Sequence, residues 1–256
     1  PIVRADEFLP QLHRAPHLTA ARMEEGLFRI GKGLIKKVIL GDWIAAQLTD
    51  AIFASPEHYT SAELMLALYA FTLQLYADFS GYTDIAIGVA RLLGYDMPEN
   101  FDRPYQAKNL GEFWRRWHMT LSRFLRDYLY IPLGGSRCSL PRRYGNLLVT
   151  MLLGGLWHGA NWTFVVWGCL HGLYLVINHV WTAVRQRPAV AKRMNGNGLT
   201  RFAAWLITFL AVVVAWVFFR APSIEAALGI LWGMTGRNGV VVPAVASDLL
   251  APWETG

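Results

Sequence analysis

FAAWLITFLAVVVAWVFF, the stretch from Phe202 to Phe219, contains 18 residues and no charged side chain. Arg220 and Pro222 close it on the carboxyl side. An apolar helix of this length spans about 27 Å, close to the roughly 30 Å hydrocarbon core of a bilayer. We therefore expect a transmembrane helix here, with lipid as the solvent around it.

The composition of the whole chain agrees with a membrane environment. Its 256 residues are 54% hydrophobic and only 16% charged, against about 25% charged in an average soluble domain. The lysines and arginines behind its formal charge of +6 fall in short blocks between apolar runs, as in the cytoplasmic loops of membrane proteins. We expect no nucleic-acid partner, since no basic segment has a soluble domain to sit on.

A second apolar run, Trp162 to Trp181, is as long as the first but contains His171, Asn178 and His179. These side chains would be costly if they faced lipid, so we expect them to face protein or water. Structural roles are the favoured interpretation for the two histidines. The alternative is that they contribute to a polar interior of the protein.

Polar residues also interrupt a third apolar run. Ala62 to Ala77 leads into a segment that contains Asp78 and Asp84, after which hydrophobicity resumes as far as Leu93. Polar groups at membrane depth survive when they line a cavity or pack inside the protein. The apolar segment from Gly26 to Phe53 is interrupted by Lys32, Lys36, Lys37 and Asp42. It is either a tilted helix or an interfacial helix.

The segment from Leu110 to Tyr130 has the pattern of an amphipathic helix. Advancing about 100° per residue places apolar side chains on one face and arginines on the other. The apolar face holds Leu110, Trp114, Trp117, Leu121, Phe124 and Tyr128, and the basic face holds Arg115, Arg116, Arg123 and Arg126. Such a helix is expected to lie in the membrane interface. The four arginines would contact either a phosphate-bearing acyl donor or anionic lipid headgroups.

The next apolar block, Leu147 to Leu156, is short and lies between basic blocks at 137–143 and 185–193. By the positive-inside rule both flanks are cytoplasmic. Ten residues give about 15 Å of helix, too little to cross the bilayer. We therefore expect a re-entrant segment, with the turn Trp157 to Asn161 inside the membrane.

His158, in that turn, is the best candidate for a catalytic general base. Burial keeps an imidazole neutral, and a neutral imidazole can take a proton from a hydroxyl that attacks an activated acyl carbonyl. Asn161 would orient the ring or the substrate. The alternative is a structural histidine bonded to a nearby carbonyl. His118 is either a second catalytic or substrate-guiding group or an interfacial side chain.

Other candidate sites carry weaker signals. Asp78 and Asp84 would form a proton path or take part in internal hydrogen bonds and pairs with arginine, and no metal site is expected from two carboxylates without a third ligand. The two cysteines, Cys138 and Cys169, indicate neither a disulfide framework nor a zinc site. We assign supporting roles to Trp157 as well as to Asn161 and the two aspartates.

Five stretches are informative when they are taken together: Gln74–Asp84, Pro98–Tyr105, Glu112–His118, Asp127–Gly135 and Gly155–Ala160. They resemble the bacterial membrane-bound O-acyltransferases, and most closely their alginate O-acetylation branch. The resemblance implies an all-helical protein with a funnel from the outer face, a thin floor and a cytoplasmic entrance for the acyl donor. It also implies that His158 is catalytic and that His118 is important.

The resemblance extends to the reaction and its surroundings. It implies an acyltransferase in the bacterial inner membrane that passes an acetyl group from a cytosolic donor to an acceptor at the outer face. The donor would be acetyl-coenzyme A or another acyl thioester, without a bound cofactor. Periplasmic acetyltransferase partner proteins would complete the modification of an exopolysaccharide such as alginate. Peptidoglycan O-acetylation and D-alanyl transfer to teichoic acid are related alternatives.

The sequence as a whole predicts an all-α, multi-pass integral membrane protein with transmembrane, re-entrant and interfacial amphipathic helices. We expect residues 1–256 to form a single membrane-embedded core that is an internal fragment of a longer chain, since members of the family are about twice as long. A function of another class, a membrane transporter or export subunit, would also place polar groups in apolar segments. Transporters usually show internal pseudo-symmetry, and we find none in the sequence.

Overall fold

The computed structural model describes residues 1–16, 18–186 and 198–239. Within these ranges the chain forms ten α-helices and no β-strand, which confirms the all-α prediction. The helices are α1 Ala5–Leu12, α2 Ala20–Leu34, α3 Asp50–Ala54, α4 Ser61–Leu92, α5 Leu110–Arg116, α6 Met119–Leu125, α7 Leu140–His158, α8 Trp162–Arg185, α9 Gly198–Arg220 and α10 Ile224–Trp232. Four π-helical segments occur at Ile35–Asp42, Ala45–Thr49, Arg126–Tyr130 and Gly233–Arg237, and 3₁₀ turns at Pro56–His58 and Pro104–Gln106.

Helices α8 and α9 contain the two apolar runs predicted to span the membrane. They have 24 and 23 residues with mean hydropathies of 1.4 and 2.5, so both are long and apolar enough to cross a bilayer. His171 of α8 is fully buried against other helices, as expected for a polar side chain kept away from lipid. Most of the basic block at 185–193 lies outside the described residues.

The third apolar run forms one continuous helix, α4, of 32 residues. Thr60 and Glu63 begin it with a capping box, in which each side chain bonds the other residue's backbone N–H. Helix α2 packs along it at a crossing of glycines: a Cβ on Gly33 would lie 2.6 Å from the carbonyl oxygen of Gly81. The segment from Gly26 to Phe53 is therefore a succession of α and π segments that packs against α4.

The prediction of one continuous helix from Leu110 to Tyr130 is wrong. The chain leaves the helix at Trp117, which is extended, and His118 has a φ of 41°, in the left-handed region. Two short α-helices and a π segment replace the single helix. Most of the predicted apolar face, including Trp114, is nevertheless buried, and it packs in the protein core.

Helix α7 is longer than the apolar block that predicted it. It begins at Leu140, includes Pro141 in its first turn and has 19 residues, or about 28 Å. Proline is tolerated there because the first N–H groups of a helix have no intrahelical partner. The prediction counted only the apolar residues from Leu147 to Leu156 and missed the polar first turns. The predicted ten-residue helix is therefore too short. The depth of the turn after His158 stays a prediction.

Candidate active site

His158 is the last residue of α7 and lies in a pocket of aromatic rings. Its ring centroid is 5.2 Å from that of Trp167 on α8 and 5.1 Å from that of Phe219 on α9. Gly159, with a φ of 158°, ends the helix, and a Cβ there would lie 2.9 Å from the ring of Phe164. The histidine is half-buried, so an apolar wall surrounds it while part of its ring can still meet a substrate.

Close packing of α7 on α8 sets the position of that histidine. A Cβ on Gly168 would lie 2.5 Å from the carbonyl oxygen of Met151. A Cβ on Gly155 would collide with the carbonyl oxygen of Phe164. Glycine at both positions lets the two backbones touch about one turn and two turns before His158. The end of α7 is therefore held firmly against the helix that supplies Trp167.

His118 lies at the junction between α5 and α6 and is buried, with 5% of its surface exposed. Its ring packs against Phe79 at a centroid distance of 4.8 Å. Its Nδ1 is 3.2 Å from Oδ1 of Asn100. The second histidine therefore has one nitrogen held by a buried partner and is not an exposed interfacial side chain.

Trp157 brings the two histidines into one neighbourhood. The centroid of its indole lies 6.1 Å from that of His118 and 5.0 Å from that of His158. The two imidazoles are 40 positions apart in the sequence, and both lie against the exposed indole of Trp157. The structure therefore assembles the predicted pair and the predicted supporting tryptophan.

Asn161 has a different set of contacts from those expected. Its Oδ1 accepts the backbone N–H of Thr163 at 3.0 Å and so caps α8. Its Nδ2 donates to the carbonyl oxygen of Pro222 at 3.0 Å. Among the described hydrogen bonds none joins it to His158, so the expected orientation of that ring by Asn161 is not observed.

The two aspartates of α4 are both paired with cations, one in a buried cluster and the other in a partly exposed pair. Asp84 is buried and lies 2.8 Å from Nζ of Lys36, 3.0 Å from Nζ of Lys32 and 3.3 Å from Nε of Arg29. Asp78 pairs with Lys37. The pairing interpretation therefore agrees with the contacts, although lysine supplies most of the partners. In the described ranges no group of three or more His, Cys, Asp or Glu side chains is placed to hold a metal ion.

Three of the four arginines of the predicted basic face already have carboxylate partners. Arg116 pairs with Glu112 at 2.8 Å, Arg123 with Glu7 at 2.9 Å and Arg126 with Asp127 at 2.7 Å. Arg115 is exposed and has no carboxylate partner among the described residues. It is therefore the arginine whose charge is most available to a donor or a headgroup.

Asn100 is the residue of this site that reasoning from the sequence missed. It is 1% exposed and lies in the segment between α4 and α5. An asparagine in a loop carries no periodic signal, and its contact with His118 exists only once the chain has folded. The stretch Pro98–Tyr105 contributed to the family resemblance, but no role was assigned to any of its residues.

Comparison with known proteins places this geometry in a family. The model of the MBOAT, membrane-bound O-acyltransferase, family matches residues 1–219. The chain is 43% identical over 242 residues to "Peptidoglycan O-acetyltransferase" of Helicobacter pylori, covering 94% of this chain and 44% of that protein. It is 44% identical over 227 residues to "Probable alginate O-acetylase AlgI" of Pseudomonas aeruginosa, covering 89% of this chain and 41% of that protein.

A more distant relative is the "Teichoic acid D-alanyltransferase" of Streptococcus thermophilus, 28% identical over 213 residues, covering 77% of this chain and 51% of that protein. The chain thus spans less than half the length of the first two relatives. The family model covers both candidate histidines and the helices that position them. The chain belongs to the membrane-bound O-acyltransferase family, a family of membrane proteins.

Proposed function

We propose that the protein is an O-acetyltransferase of the bacterial inner membrane, which it crosses several times. It passes an acetyl group from a cytosolic thioester donor, such as acetyl-coenzyme A, across the membrane for O-acetylation of an exopolysaccharide. The observation that carries the proposal is the placement of His158 in an aromatic pocket, with His118 against the same indole of Trp157. The names of the relatives support transfer of an acyl group to a cell-envelope polymer.

The chemistry of the proposal follows from a neutral imidazole. His158 takes the proton from an acceptor hydroxyl while that oxygen attacks the thioester carbonyl. The carbon–sulfur bond then breaks, the sulfur leaves as a thiol after gaining a proton, and an ester remains. The surrounding rings of Trp167 and Phe219 exclude water, which would otherwise hydrolyse the thioester. Periplasmic acetyltransferase partner proteins complete the transfer to the polysaccharide.

The acceptor is the finer part of the proposal. An exopolysaccharide such as alginate and peptidoglycan are the two leading acceptors, since relatives named for each have almost equal identity to this chain. The match to the peptidoglycan enzyme of Helicobacter pylori covers 94% of this chain, and the match to the alginate enzyme covers 89%. Peptidoglycan is therefore retained as the second candidate acceptor. The lower identity of the D-alanyltransferase makes teichoic acid the least favoured.

The experiment uses cells that lack the native gene and carry the complete gene, intact or with His158→Ala. O-acetyl esters are measured separately in exopolysaccharide and in muropeptides, together with D-alanyl esters and the abundance of the protein in the membrane. His58→Ala is the matched control, since the His58 side chain is 75% exposed and is remote from the site in sequence.

We expect the intact gene and the control to restore O-acetyl ester and His158→Ala to leave it absent at equal abundance. Ester in muropeptides alone would transfer the proposal to peptidoglycan. Full restoration by His158→Ala would overturn the catalytic role of His158. Absence of any ester with the intact gene would favour a transporter or export subunit.

A further inference from the structure

The side-chain oxygen of Asn100 collects three hydrogen bonds at the base of the candidate site. It lies 3.2 Å from Nδ1 of His118, 3.1 Å from the backbone nitrogen of Thr120 and 2.9 Å from Oγ1 of Thr120. All three residues are buried. The arrangement is therefore shielded from solvent and is set by the fold.

The partners decide which atom of the Asn100 amide faces them. A backbone N–H is always a donor, so the atom that meets the nitrogen of Thr120 must be the oxygen and not the NH₂ group. Oγ1 of Thr120 accepts the backbone N–H of Ile2 at 3.0 Å and has its own hydrogen free to donate to Asn100. The orientation of the amide is thus fixed without reference to the histidine.

The same oxygen then fixes the proton of the imidazole. An amide oxygen can only accept, so Nδ1 of His118 must carry the hydrogen that joins them. In a neutral ring the other nitrogen, Nε2, then has the lone pair. We propose that Asn100 is a positioning residue that holds His118 as its Nδ1–H tautomer, so that Nε2 keeps its lone pair and is the hydrogen-bond acceptor that the ring offers in the candidate site.

Asn100 also supports the backbone at this point. His118 has a φ of 41°, a left-handed conformation that residues with a Cβ rarely adopt. The carbonyl oxygen of Asn100 accepts the N–H of Met119 at 3.0 Å, next to the bond from Thr120. Loss of the side chain would therefore disturb both the turn and the ring, and the test must separate the two effects.

The inference rests on the proposed acetyl transfer, so the assay measures that transfer directly. Inverted membrane vesicles from the native host, with the protein expressed from its complete gene, receive radiolabelled acetyl-coenzyme A. Label in hydroxylamine-sensitive ester is followed between pH 5 and 9, with a protonophore to equalise pH across the membrane. Intact protein is compared with Asn100→Asp, Asn100→Ala and the control Thr120→Val at equal abundance.

Asn100→Asp keeps an acceptor oxygen but places a negative charge beside the imidazole, which favours its protonated form. We expect this variant to stay active at alkaline pH, with the acidic limb of the rate moved up by about one pH unit. Asn100→Ala should lower kcat roughly 10–100-fold with KM for acetyl-coenzyme A unchanged. Thr120→Val removes one bond to the same oxygen and should leave the pH profile in place.

An unchanged acidic limb in Asn100→Asp would overturn the inference, because the added charge favours protonation of His118, and a reaction that needs the neutral Nδ1–H tautomer must then lose rate at a higher pH. A rise in KM without a fall in kcat for Asn100→Ala would also overturn it. If vesicles that contain the unsubstituted protein transfer no label, the proposed acetyl transfer itself is refuted. The two failures are therefore distinguishable.

Discussion

Asp78 and Asp84 lie six residues apart on α4, yet the side chain of Asp84 is 8% exposed and that of Asp78 is 43% exposed. The more buried carboxylate has three cationic neighbours, whereas Asp78 has Lys37 alone. A buried charge is tolerated only when it is paired. The two aspartates therefore contribute differently to the packing of α2 and its π extension against α4.

Asp84→Asn should destabilise the protein. It removes the negative charge, which leaves Lys32 and Lys36 without a carboxylate partner among the described residues and Arg29 with Glu99 alone. Removal of one partner from a fully buried pair costs about 3–5 kcal/mol, and we expect about 1–3 kcal/mol here because both lysines are partly exposed. The measurement is the melting temperature of the whole protein in detergent, which should fall by several degrees.

Asp78→Asn is the matched control for that variant. The partly exposed pair with Lys37 is screened by solvent and contributes at most about 1 kcal/mol. A fall in melting temperature as large as that of Asp84→Asn would contradict the assignment of the buried cluster as the stronger contact between the two helices.

The glycine crossing of α2 and α4 gives a second prediction. Gly33→Ala places a Cβ 2.6 Å from the carbonyl oxygen of Gly81, so the helices must separate and the melting temperature should fall. Gly31→Ala is the control on the same helix, because its Cβ would meet no atom within 4 Å. Alanine favours the helix over glycine by about 1 kcal/mol, so the control should be neutral or stabilising. Equal losses in both variants would show that the crossing does not need glycine.

The parts of the fold that were predictable are those that the bilayer imposes. Helices α8 and α9 follow directly from uncharged runs long enough to cross a membrane. The break at His118 was not predictable, because the amphipathic period continues through it and tertiary contacts such as those of Asn100 stabilise the left-handed residue. The polar first turns of α7 were missed because the prediction followed only uninterrupted apolar residues, and these turns contain Arg142 and Arg143.

In the candidate site, too, some features were predictable from the sequence and others depend on tertiary contacts. His158 was indicated by its glycine-flanked turn, and His118 by its place in a motif. Their proximity through Trp157, and the hydrogen bond from His118 to Asn100, depend on contacts between segments far apart in the chain. Asn161 was assigned to the site by its position in the sequence, whereas its side chain caps the next helix.

Asn161 therefore supports a third prediction. Asn161→Ala removes the cap of α8 and the bond to Pro222, which should destabilise the protein by roughly 1 kcal/mol for the cap alone. Asn161→Asp keeps an acceptor for the N–H of Thr163 and should restore most of that stability. Melting temperatures and O-acetyl ester content are measured together. Loss of ester in the stable aspartate variant would instead indicate that the amide acts on the substrate.

A fourth prediction concerns pH and the loop after α4. Arg22, with help from Arg14, holds the pKa of Asp96 below its usual range. A carboxyl whose folded pKa is lowered stabilises the protein above its unfolded pKa of about 3.9, and this contribution is lost as pH falls through the folded pKa. Asp96→Asn should therefore lower the melting temperature slightly at pH 7, by less than about 1 kcal/mol because the side chain is half exposed.

The difference between intact protein and Asp96→Asn should shrink as the pH falls below about 3.9. Melting curves of both proteins in the same detergent between pH 7 and 3 measure it. A difference that persists unchanged at pH 3 would mean that the aspartate acts through packing and not through its charge.

The last prediction distinguishes the two interpretations of the basic face. Arg115 is exposed and has no carboxylate partner among the described residues, whereas Arg126, also exposed, is paired with Asp127. If Arg115 contacts the phosphates of acetyl-coenzyme A, Arg115→Gln should raise KM for that donor several-fold in inverted vesicles, because a charge-assisted hydrogen bond is lost. Arg126→Gln is the control and should leave KM unchanged. An unchanged KM for Arg115→Gln, with weaker binding of the purified protein to anionic vesicles, would assign Arg115 to lipid headgroups.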